Sequence, residues 1–458
     1  MKVTLLGHAS ILVEMNGATC LMDPVFADPF EDGAVVSCPK RKVNPDRLPL
    51  VDFLIISHRH PDHFDISSLA LLSRDCTAIC PADPLIVYAL KELGFRDIHP
   101  VHPMGEIRSE DIELYPTQSE ATGVRELGMV FHDSSGTFWN QVDTELAVAT
   151  IEAVVQRYGQ IDLLFAMYAS QNFDFFEDRS TDFPYGIHAA NLENVIRIHP
   201  RMVVPASAGF RFCDEQEWLN AFLFPISRER FVGDVQQLDS NIDVQIMNPG
   251  DIVELQDEAV DHHPAVSDIA ETVTLDTARI RYDPTRPIPA LVDLNLDGYS
   301  PDQLKELTEK FVVQGMGEFI DEGYQSNHPV IAGYLQNRAR YTIEIVYPEG
   351  EPDCYRFDFG ANHARLIVGE RATEPADIVH RIAASALVNW IERRKNYFYV
   401  RAFSRRFSML YRLSSTGEKV SVEPMVLPDL LMHYLLNESE GSEYAAKRHV
   451  DLKLQAMR

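Results

Sequence analysis

The chain has 458 residues, of which 45% are hydrophobic and 24% are charged, and its formal net charge is −28 at pH 7. This length accommodates two or three domains with a large core, and the two fractions are those of an ordinary globular protein. The negative charge argues against nucleic acid as a partner and against electrostatic docking on an anionic membrane, because both surfaces require basic residues.

The cysteine content and the chain start indicate the compartment. None of the six cysteines forms a C-x-x-C pair or the Cys/His spacing of a Rieske iron–sulfur centre. We expect free thiols in a reducing cytosol. The first residues lack the apolar core of a signal peptide, and no segment approaches the roughly 18 apolar residues of a membrane span. The sequence therefore predicts a cytoplasmic protein.

The N-terminal region predicts β structure followed by two helices. Apolar runs predict strands over residues 3–7, 10–15, 18–22 and 53–57. Asn16-Gly17 is typical of a two-residue hairpin turn. The helices are predicted over residues 66–72 and 83–93.

Strands and helices then alternate along the chain. Further strands are predicted over residues 111–115, 127–132, 162–167 and 202–205, and helices over residues 144–158 and 189–198. This alternation with two β-rich halves predicts an α/β fold in which helices cover two stacked sheets, an αββα sandwich.

The sequence changes character between residues 257 and 290, where acidic residues and prolines accumulate. We predict a first domain over residues 1–256, a linker over residues 257–290 and a C-terminal α+β domain over residues 291–458. The last domain is predicted to contain helices over residues 301–322 and 375–393 and strands over residues 341–347, 355–359 and 364–368.

The most informative motif is Ser57-His58-Arg59-His60-Pro61-Asp62-His63, which directly follows a buried strand. Imidazole and carboxylate are ligands that zinc, iron and manganese prefer. Four such groups on one loop can serve two adjacent metals, with His58 and His60 on one side and Asp62 and His63 on the other. The motif therefore predicts a two-metal catalytic centre in residues 1–256.

A metal centre of this kind needs ligands from elsewhere in the chain. Asp133 ends a predicted strand within Asp133-Ser134-Ser135-Gly136, where its carboxylate could bridge two metals; the alternative is a plain turn aspartate. Glu120 follows another predicted strand and could complete one metal site; the alternative is a solvated loop residue.

The string His58-x-His60-x-Asp62-His63 at a strand end resembles the motif of the metallo-β-lactamase fold. The opening Gly7-His8-Ala9-Ser10 and Met22-Asp23-Pro24 are similar to the first motif of that superfamily. The resemblance spans about residues 1–255. It implies that Asp23 supports the metal loop through hydrogen bonds and that Asp133 bridges the metals.

One branch of the superfamily is more similar than the others. Residues 199–210 and 244–251 resemble segments of the CMP-N-acetylneuraminate hydroxylases, although this chain has no Rieske motif. The chain also resembles the diiron monooxygenases of this fold from natural-product pathways. The C-terminal region resembles a sterol-carrier-like module, with a dimerisation or lid domain as the alternative.

The chain departs from the hydrolases of this fold at two positions. Those hydrolases place one histidine where this chain has Gln118 to Glu120, and another where it has Ser207. A glutamate in place of a histidine makes the site harder, which favours iron or manganese over zinc. His188 or water could replace the second missing ligand, and His8 is expected near the site without ligating.

The resemblance and these departures predict a non-haem diiron monooxygenase. His58, His60 and Glu120 hold one iron, Asp62, His63 and His188 hold the other, and Asp133 bridges them. Electrons come from a separate donor protein, O2 is the co-substrate, and a small organic molecule is hydroxylated.

Two other interpretations remain open at this point. One is a zinc- or manganese-dependent hydrolase of a phosphoester, lactone, amide or thioester, in which a metal-bound hydroxide attacks. The other is a binding protein with a degenerate site. The substrate stays undetermined, and a homodimer is compatible with the sequence.

Overall fold

The computed structural model describes residues 1–109, 111–121, 123–172, 175–176, 181–369, 376–408, 411–413, 419–421, 427–439 and 443–457. The chain divides into two compact units. The first comprises residues 1–172, 182–284 and 453–458, and the second comprises residues 173–181 and 285–452.

The strands of the first unit are β1 Lys2–Gly7, β2 Ser10–Met15, β3 Ala18–Met22, β4 Val35–Ser37, β5 Lys40–Val43, β6 Phe53–Ile55, β7 Thr77–Pro81, β8 Asp97–Val101, β9 Ile107–Ser109, β10 Ile112–Gln118, β11 Leu127–Asp133, β12 Gly136–Asn140, β13 Leu163–Met167, β14 Met202–Ala206, β15 Phe210–Phe212, β16 Asp243–Val244, β17 Ile252–Gln256, β18 Ala259–His263 and β19 Ala270–Thr274. Its helices are α1 Ile66–Ala70, α2 Pro84–Glu92, α3 Val148–Tyr158, α4 Tyr185–Ile198 and α5 Arg228–Leu238.

Two large sheets form the centre of this unit. One has the strand order β18-β17-β1-β2-β3-β6-β7-β8, and the other has the order β16-β14-β13-β12-β11-β10-β9. A core that includes Val3, Ile11 and Ile55 of the first sheet with Phe131 and Phe138 of the second lies between them. Burying apolar faces of both sheets in this way is the main source of stability for such a sandwich.

Helices cover the outer face of the second sheet. Val130 and Trp139 point away from the central core and pack with Val154 of α3, Val195 of α4 and Phe231 of α5. Successive strand residues face opposite sides, so Phe138 enters one core and Trp139 the other. The prediction of an α/β sandwich with αββα layers is confirmed.

The hairpin of β11 and β12 was not anticipated. Asp133 pairs with Gly136, which leaves Ser134 and Ser135 as the connecting turn. The predicted motif Asp133-Ser134-Ser135-Gly136 is therefore a tight hairpin turn, and the chain runs back through one further strand, β12, before it leaves the sheet.

The segment 257–290, predicted as a linker, instead contributes two strands to the first unit. β18 pairs antiparallel with β17, and β19 pairs antiparallel with β5. Asp257 and Glu258 form the turn between β17 and β18, Pro264 directly follows β18, and the other prolines of the segment follow β19, so no proline interrupts a ladder of hydrogen bonds.

The strands of the second unit are β20 Arg340–Val346, β21 Asp353–Phe359, β22 Ala364–Val368, β23 Ile378–Ala383, β24 Ser404–Ser408, β25 Tyr411–Leu413 and β26 Lys419–Ser421. The remaining helices are α6 Pro301–Lys310, α7 Gly317–Ser326, α8 Pro329–Gln336, α9 Ala384–Ile391, α10 Tyr397–Ala402, α11 Leu430–Ser439 and α12 Glu443–Ala456. A π-helical turn, Phe311–Met316, joins α6 to α7.

The second unit has its own five-stranded sheet, with the order β22-β21-β20-β23-β24. The helix predicted over residues 375–393 is wrong in its first part, because β23 pairs parallel with β20 and only α9 is helical. Residue 375 lies outside the described residues. Ile378 and Ile382 are buried in this strand, and a short apolar run of that kind does not distinguish a strand from a helix. None of the described helices combines the length and apolar character of a transmembrane span.

A buried ion pair in the second unit gives a first testable prediction. Asp429 Oδ1 lies 3.2 Å from His380 Nδ1 and accepts a hydrogen bond from Met432 N at 3.1 Å. Burial opposes ionisation of Asp429, but the charge and hydrogen bond of His380 and the charge of Arg406 hold its pKa well below the ordinary value. We expect Asp429→Asn to lower the free energy of unfolding by about 3 kcal/mol at pH 7.

The destabilisation caused by Asp429→Asn should become smaller as the pH falls. A carboxyl with a depressed folded-state pKa stabilises above its unfolded pKa of about 4, and this contribution disappears as the pH falls through the folded value. Denaturant unfolding of the wild type and Asp429→Asn at pH 7 and pH 3 should therefore show a smaller difference at pH 3. The exposed Asp321→Asn serves as the control and should change stability little at either pH. A difference that grows on acidification would contradict the assignment.

Candidate metal centre

The histidine loop follows β6, whose register with β3 and β7 sets where the loop begins. His58 and His63 are fully buried at its two ends. His58 Nε2 lies 2.9 Å from His60 Nδ1, and the ring centroids of His58 and His63 are 4.2 Å apart. The loop therefore gathers its three imidazoles at one point.

Asp23, which directly follows β3, holds this loop in place. Its Oδ1 accepts a hydrogen bond from Ser57 N at 2.7 Å, and its Oδ2 accepts one from Ser57 Oγ at 2.5 Å. Asp23 Oδ2 also lies 2.9 Å from His63 Nδ1, and Ser57 Oγ lies 2.9 Å from His58 Nδ1. Because both Nδ1 atoms have partners on this side, the Nε2 atoms of the two histidines face the site.

Asp62 and His8 form the adjoining part of the cluster. His8 Nε2 lies 3.1 Å from Asp62 Oδ2, which is 3.6 Å from His63 Nε2. His8 occupies the turn between β1 and β2 with a φ of 49°, next to Gly7 with a φ of 119°. The buried Arg41 donates to Gly7 O at 2.8 Å and fixes this turn. His8 thus lies within the cluster, although the sequence suggested a place beside it.

Asp143 reaches the cluster from the second sheet. Its Oδ2 lies 3.2 Å from His63 Nε2 and 4.0 Å from His58 Nε2. Leu127 at the start of β11 donates its N–H to Ser57 O, so this end of β11 adjoins the histidine loop. β12 runs antiparallel to β11 and therefore ends at the same edge, just before Asp143.

The donor atoms converge as a metal centre requires. His58, His63 and Asp143 form one group whose ligand atoms all lie within 4.8 Å of one another, and His8, Asp62 and His63 form a second. The two groups share His63. Imidazole nitrogens and carboxylate oxygens suit zinc, iron and manganese, so the residues present fit one or two such ions.

Burial and mutual proximity shift the ionisation of these groups. Burial lowers the pKa of His58 well below its ordinary value, with the charge of His63 adding to the effect, and burial also lowers the pKa of His60. Burial opposes charge on Asp62 and His63 as well. The charge of His63 nevertheless holds the pKa of Asp62 well below its usual range, and the charges of Asp143 and Asp62 hold that of His63 well above its own. Neutral His58 and His60 and ionised Asp62 are the states that bind metals.

The glutamate beside the cluster is Glu126 and not Glu120. Neither glutamate belongs to a ligand group among the described residues, but Glu120 is exposed, whereas Glu126 is buried and accepts a hydrogen bond from Ser119 Oγ. Burial, opposed by that hydrogen bond and aided by the charge of Asp143, raises the pKa of Glu126 to about 7. The next residue, Leu127, donates its N–H to Ser57 O, so Glu126 adjoins the histidine loop.

Asp133 lies at the opposite end of β11 from the histidine loop. Its Oδ1 accepts hydrogen bonds from Ser135 N and Oγ, and its Oδ2 accepts one from Asn16 N at 3.1 Å. A strand of this length separates its ends by roughly 20 Å. This position contradicts the predicted bridging role of Asp133, and the aspartate found in a ligand group with the histidines is Asp143.

His188 lies away from the cluster, and Ser207 lies beside it. His188, on α4, pairs through Nε2 with Asp234 Oδ2 of α5 at 2.7 Å and packs edge-on against Phe183. This partner joins the two helices and keeps the imidazole from the ligand groups. Ser207 follows β14 and lines a small cavity together with His8. Hydrolases of this fold have a histidine where this chain has Ser207. His8, which the sequence did not predict as a ligand, lines the same cavity as Ser207.

Comparison with known proteins gives the same fold for this region. Residues 19–201 match the family model described as a beta-lactamase superfamily domain. A provisionally named Rieske 2Fe-2S iron–sulfur protein of Mycolicibacterium smegmatis is 29% identical over 189 residues, which cover 37% of this chain and 34% of that protein. A UPF0173 metal-dependent hydrolase of Caldivirga maquilingensis is 23% identical over 256 residues, covering 55% of this chain and 96% of that protein. The chain thus spans about a third of the length of the first of these relatives.

Two solved structures of enzymes with different activities are similar to this chain. CmlA, a diiron β-hydroxylase from Streptomyces venezuelae, has a TM-score of 0.40 and 16% identity, covering 56% of this chain and 54% of that chain. An isothiocyanate hydrolase from Delia radicum gut bacteria has a TM-score of 0.43 and 16% identity, covering 56% of this chain and 99% of that chain.

The αββα layers and the convergent histidine and aspartate side chains define the first unit as a metal-dependent enzyme domain. Residues 19–201 match the model of a beta-lactamase superfamily domain, and the layers of the first unit are those of the metallo-β-lactamase fold.

Proposed function

We propose that the chain is a non-haem diiron monooxygenase that hydroxylates a small organic substrate. The carboxylate content of the site is the observation that carries this proposal. Asp62 and Asp143 belong to the two ligand groups with the histidines, and the buried Glu126 precedes Leu127, whose N–H bonds to Ser57 O of the histidine loop. Oxygen-rich ligand sets favour iron and manganese over zinc.

The geometry suggests how the ligands divide between two ions. His58, His60 and Glu126 would hold one iron, and His8, Asp62 and His63 would hold the other. Asp143 would bridge them, because its carboxylate faces both His58 and His63. In this assignment Glu126 replaces Glu120, Asp143 replaces Asp133, and His8 replaces His188.

Two irons bound here would supply the chemistry of O2 reduction. One oxygen atom enters a substrate C–H bond to give an alcohol, and the other leaves as water with two protons and two electrons. We propose a separate protein as the electron donor. Asp23 and Ser57 keep the imidazoles oriented throughout, and the buried loop excludes bulk water from their Nε2 atoms.

Metal content and oxygen dependence test the proposal directly. Protein purified from medium supplemented with both iron and zinc should contain about two iron ions per chain, measured by mass spectrometry of the metals, and should absorb in the visible range. With a reductant and a suitable substrate it should consume O2. Two tightly bound zinc ions and no oxygen uptake would refute the proposal.

Glu126 and Glu120 form a matched pair for a second test. Glu126→Gln removes a buried carboxylate near Asp143 and His63 and should lower metal affinity at least about tenfold, as loss of a ligand or of its direct support does. Glu120→Gln makes the same chemical change at an exposed position and should leave metal content unchanged. Metal titration with a competing chelator measures both, and equal effects of the two variants would remove Glu126 from the site.

A metal-dependent hydrolase is the second candidate. The similarity to the Caldivirga hydrolase, which covers 96% of that protein, favours it. A zinc or manganese ion at the same residues would activate water to attack a phosphoester, lactone, amide or thioester. Turnover of such a substrate under strict exclusion of O2 would establish this function in place of the first.

A further inference from the structure

A cavity of about 530 Å³ in the first unit lies apart from the histidine loop. Its wall includes Arg228 and Arg230 from the first turn of α5 and Arg281 from the segment that follows β19. Glu229 is the single carboxylate in this wall. Such a concentration of positive charge is unusual in a chain whose formal net charge is −28.

Two of these arginines have no carboxylate partner among the described residues. Arg230 Nε donates to Asp234 Oδ2 at 3.0 Å, so its charge is compensated. Arg228 instead donates from Nη1 to Met247 O at 3.0 Å and to Asn248 Oδ1 at 3.2 Å, both uncharged. Arg281 is exposed at the rim and forms no ion pair within the described part of the chain. Arg228 and Arg281 therefore keep uncompensated charge at the cavity.

A nearly buried serine also lines this cavity. Ser170 is 2% exposed, and its hydroxyl interacts with that of Tyr168, a second residue of the cavity wall. The N-terminus of α5, capped by Ser227, adds backbone N–H groups and positive dipole at the wall.

The cavity also approaches the metal centre. Cys38, Tyr168, Ala208 and Arg228 line both this cavity and a second one of about 30 Å³. The smaller cavity is lined further by His8 and Ser207. A molecule anchored at Arg228 thus lies on the side of the metal centre that His8 occupies.

We propose that this cavity binds an anionic oxygen group, a phosphate or a carboxylate, of the substrate. Arg228 and Arg281 supply charge-assisted hydrogen bonds, and Ser170 Oγ adds a neutral one. A volume of about 530 Å³ leaves room for an organic body beside the anion. The anion site stands on its own geometry, and only its assignment to the substrate rests on the proposed function.

Ligand-observed NMR on the full-length protein tests the site with two probes. Inorganic phosphate is followed by ³¹P line broadening, and acetate by ¹H saturation transfer. We expect at least one of them to bind, and its affinity to fall about tenfold in Arg228→Met and again in Arg281→Met. The probe that binds more tightly identifies the phosphate or carboxylate class. Arg96→Met, an exposed arginine outside the cavity, should bind as the wild type does.

Two variants separate loss of anion binding from loss of folding and from loss of the metal ligands. Arg281→Met removes an exposed side chain and tests the site even if Arg228→Met destabilises the fold. His60→Ala removes a metal ligand and should leave anion binding intact, so failure of the metal assignment is separable from failure of the anion site. Binding lost in His60→Ala but kept in both arginine variants would place the anion on the metals and overturn the proposal. Binding of neither probe to the wild type would also overturn it.

Discussion

Asp143→Asn is expected to abolish tight metal binding and activity. Asp143 Oδ2 lies 3.2 Å from His63 Nε2 and 4.0 Å from His58 Nε2, and His63 is the residue that the two ligand groups share. An amide keeps the shape of the side chain but loses the charge that offsets two cations, and we expect metal affinity to fall at least about a hundredfold. Competition with a chelator followed by metal analysis measures this loss.

Asp133→Asn is the matched control for that substitution. Asp133 is also an aspartate at a strand end, but its oxygens accept hydrogen bonds from Ser135 and Asn16 in the hairpin turns at the far side of the sandwich. We expect wild-type metal content and a lower free energy of unfolding, by about 1 to 2 kcal/mol. If Asp133→Asn lost metal while Asp143→Asn retained it, the original assignment from the sequence would be restored.

Asp23→Ala is expected to have the second-largest effect. Asp23 is fully buried, and its carboxylate bonds to Ser57 N, to Ser57 Oγ and to His63 Nδ1. Without it, His58 and His63 lose the contacts that orient their rings, and metal affinity should fall about 10- to 100-fold. The unsatisfied buried groups should also lower the free energy of unfolding by roughly 3 kcal/mol or more.

Both effects of Asp23→Ala are measurable on the same preparation. Chelator competition gives the metal affinity, and denaturant unfolding of the metal-free protein gives the stability. Asp52→Ala is a suitable control, because Asp52 Oδ2 accepts a single exposed hydrogen bond from Thr19 N. Unchanged metal affinity in Asp23→Ala would show that the loop holds its histidines without this carboxylate.

The histidine loop could be predicted because its potential ligands are close together in the sequence. Four potential ligands between His58 and His63 and an apolar run before them are visible in the sequence, and the structure brings all four together. The supporting role of Asp23 was implied by the resemblance of Met22-Asp23-Pro24 to the first motif of the superfamily, and the hydrogen bonds of Asp23 agree with it. The αββα order followed from the alternation of apolar periodicities.

The position of Asp143 depends on the direction in which its strand runs, and residues close to it in the sequence do not determine that direction. Successive antiparallel strands end at opposite edges of a sheet, so an overlooked hairpin changes the edge to which every later residue is assigned. Asp133 was assigned from its place at a strand end and from the resemblance of its motif to that of the family, whereas the edge beside the histidine loop is reached only at the end of the next strand, β12, just before Asp143. The run Gly136-Thr137-Phe138-Trp139-Asn140 is rich in strand-forming residues and could have shown the extra strand.

Glu126 and His8 were missed for a different reason. Burial distinguishes Glu126 from Glu120, but neither the spacing nor the residue type shows which of two loop glutamates faces the interior. His8 was expected beside the site, and only the turn held by Arg41 brings its Nε2 to 3.1 Å from Asp62. These are consequences of packing between segments far apart in the sequence.

The ligand groups come from both sheets of the sandwich, and this has a consequence for folding. His58 and His63 follow β6 of one sheet, whereas Asp143 follows β12 of the other. An ion bound by all three would act as a cross-link between the sheets and could form only after they have stacked. Metal would then stabilise the assembled sandwich by mass action, by about 2.7 kcal/mol at a free concentration one hundred times Kd, and would contribute nothing to either sheet alone. For an ion held by these three residues, stacking of the sheets therefore precedes binding, whereas His8, Asp62 and His63 all adjoin strands of the first sheet.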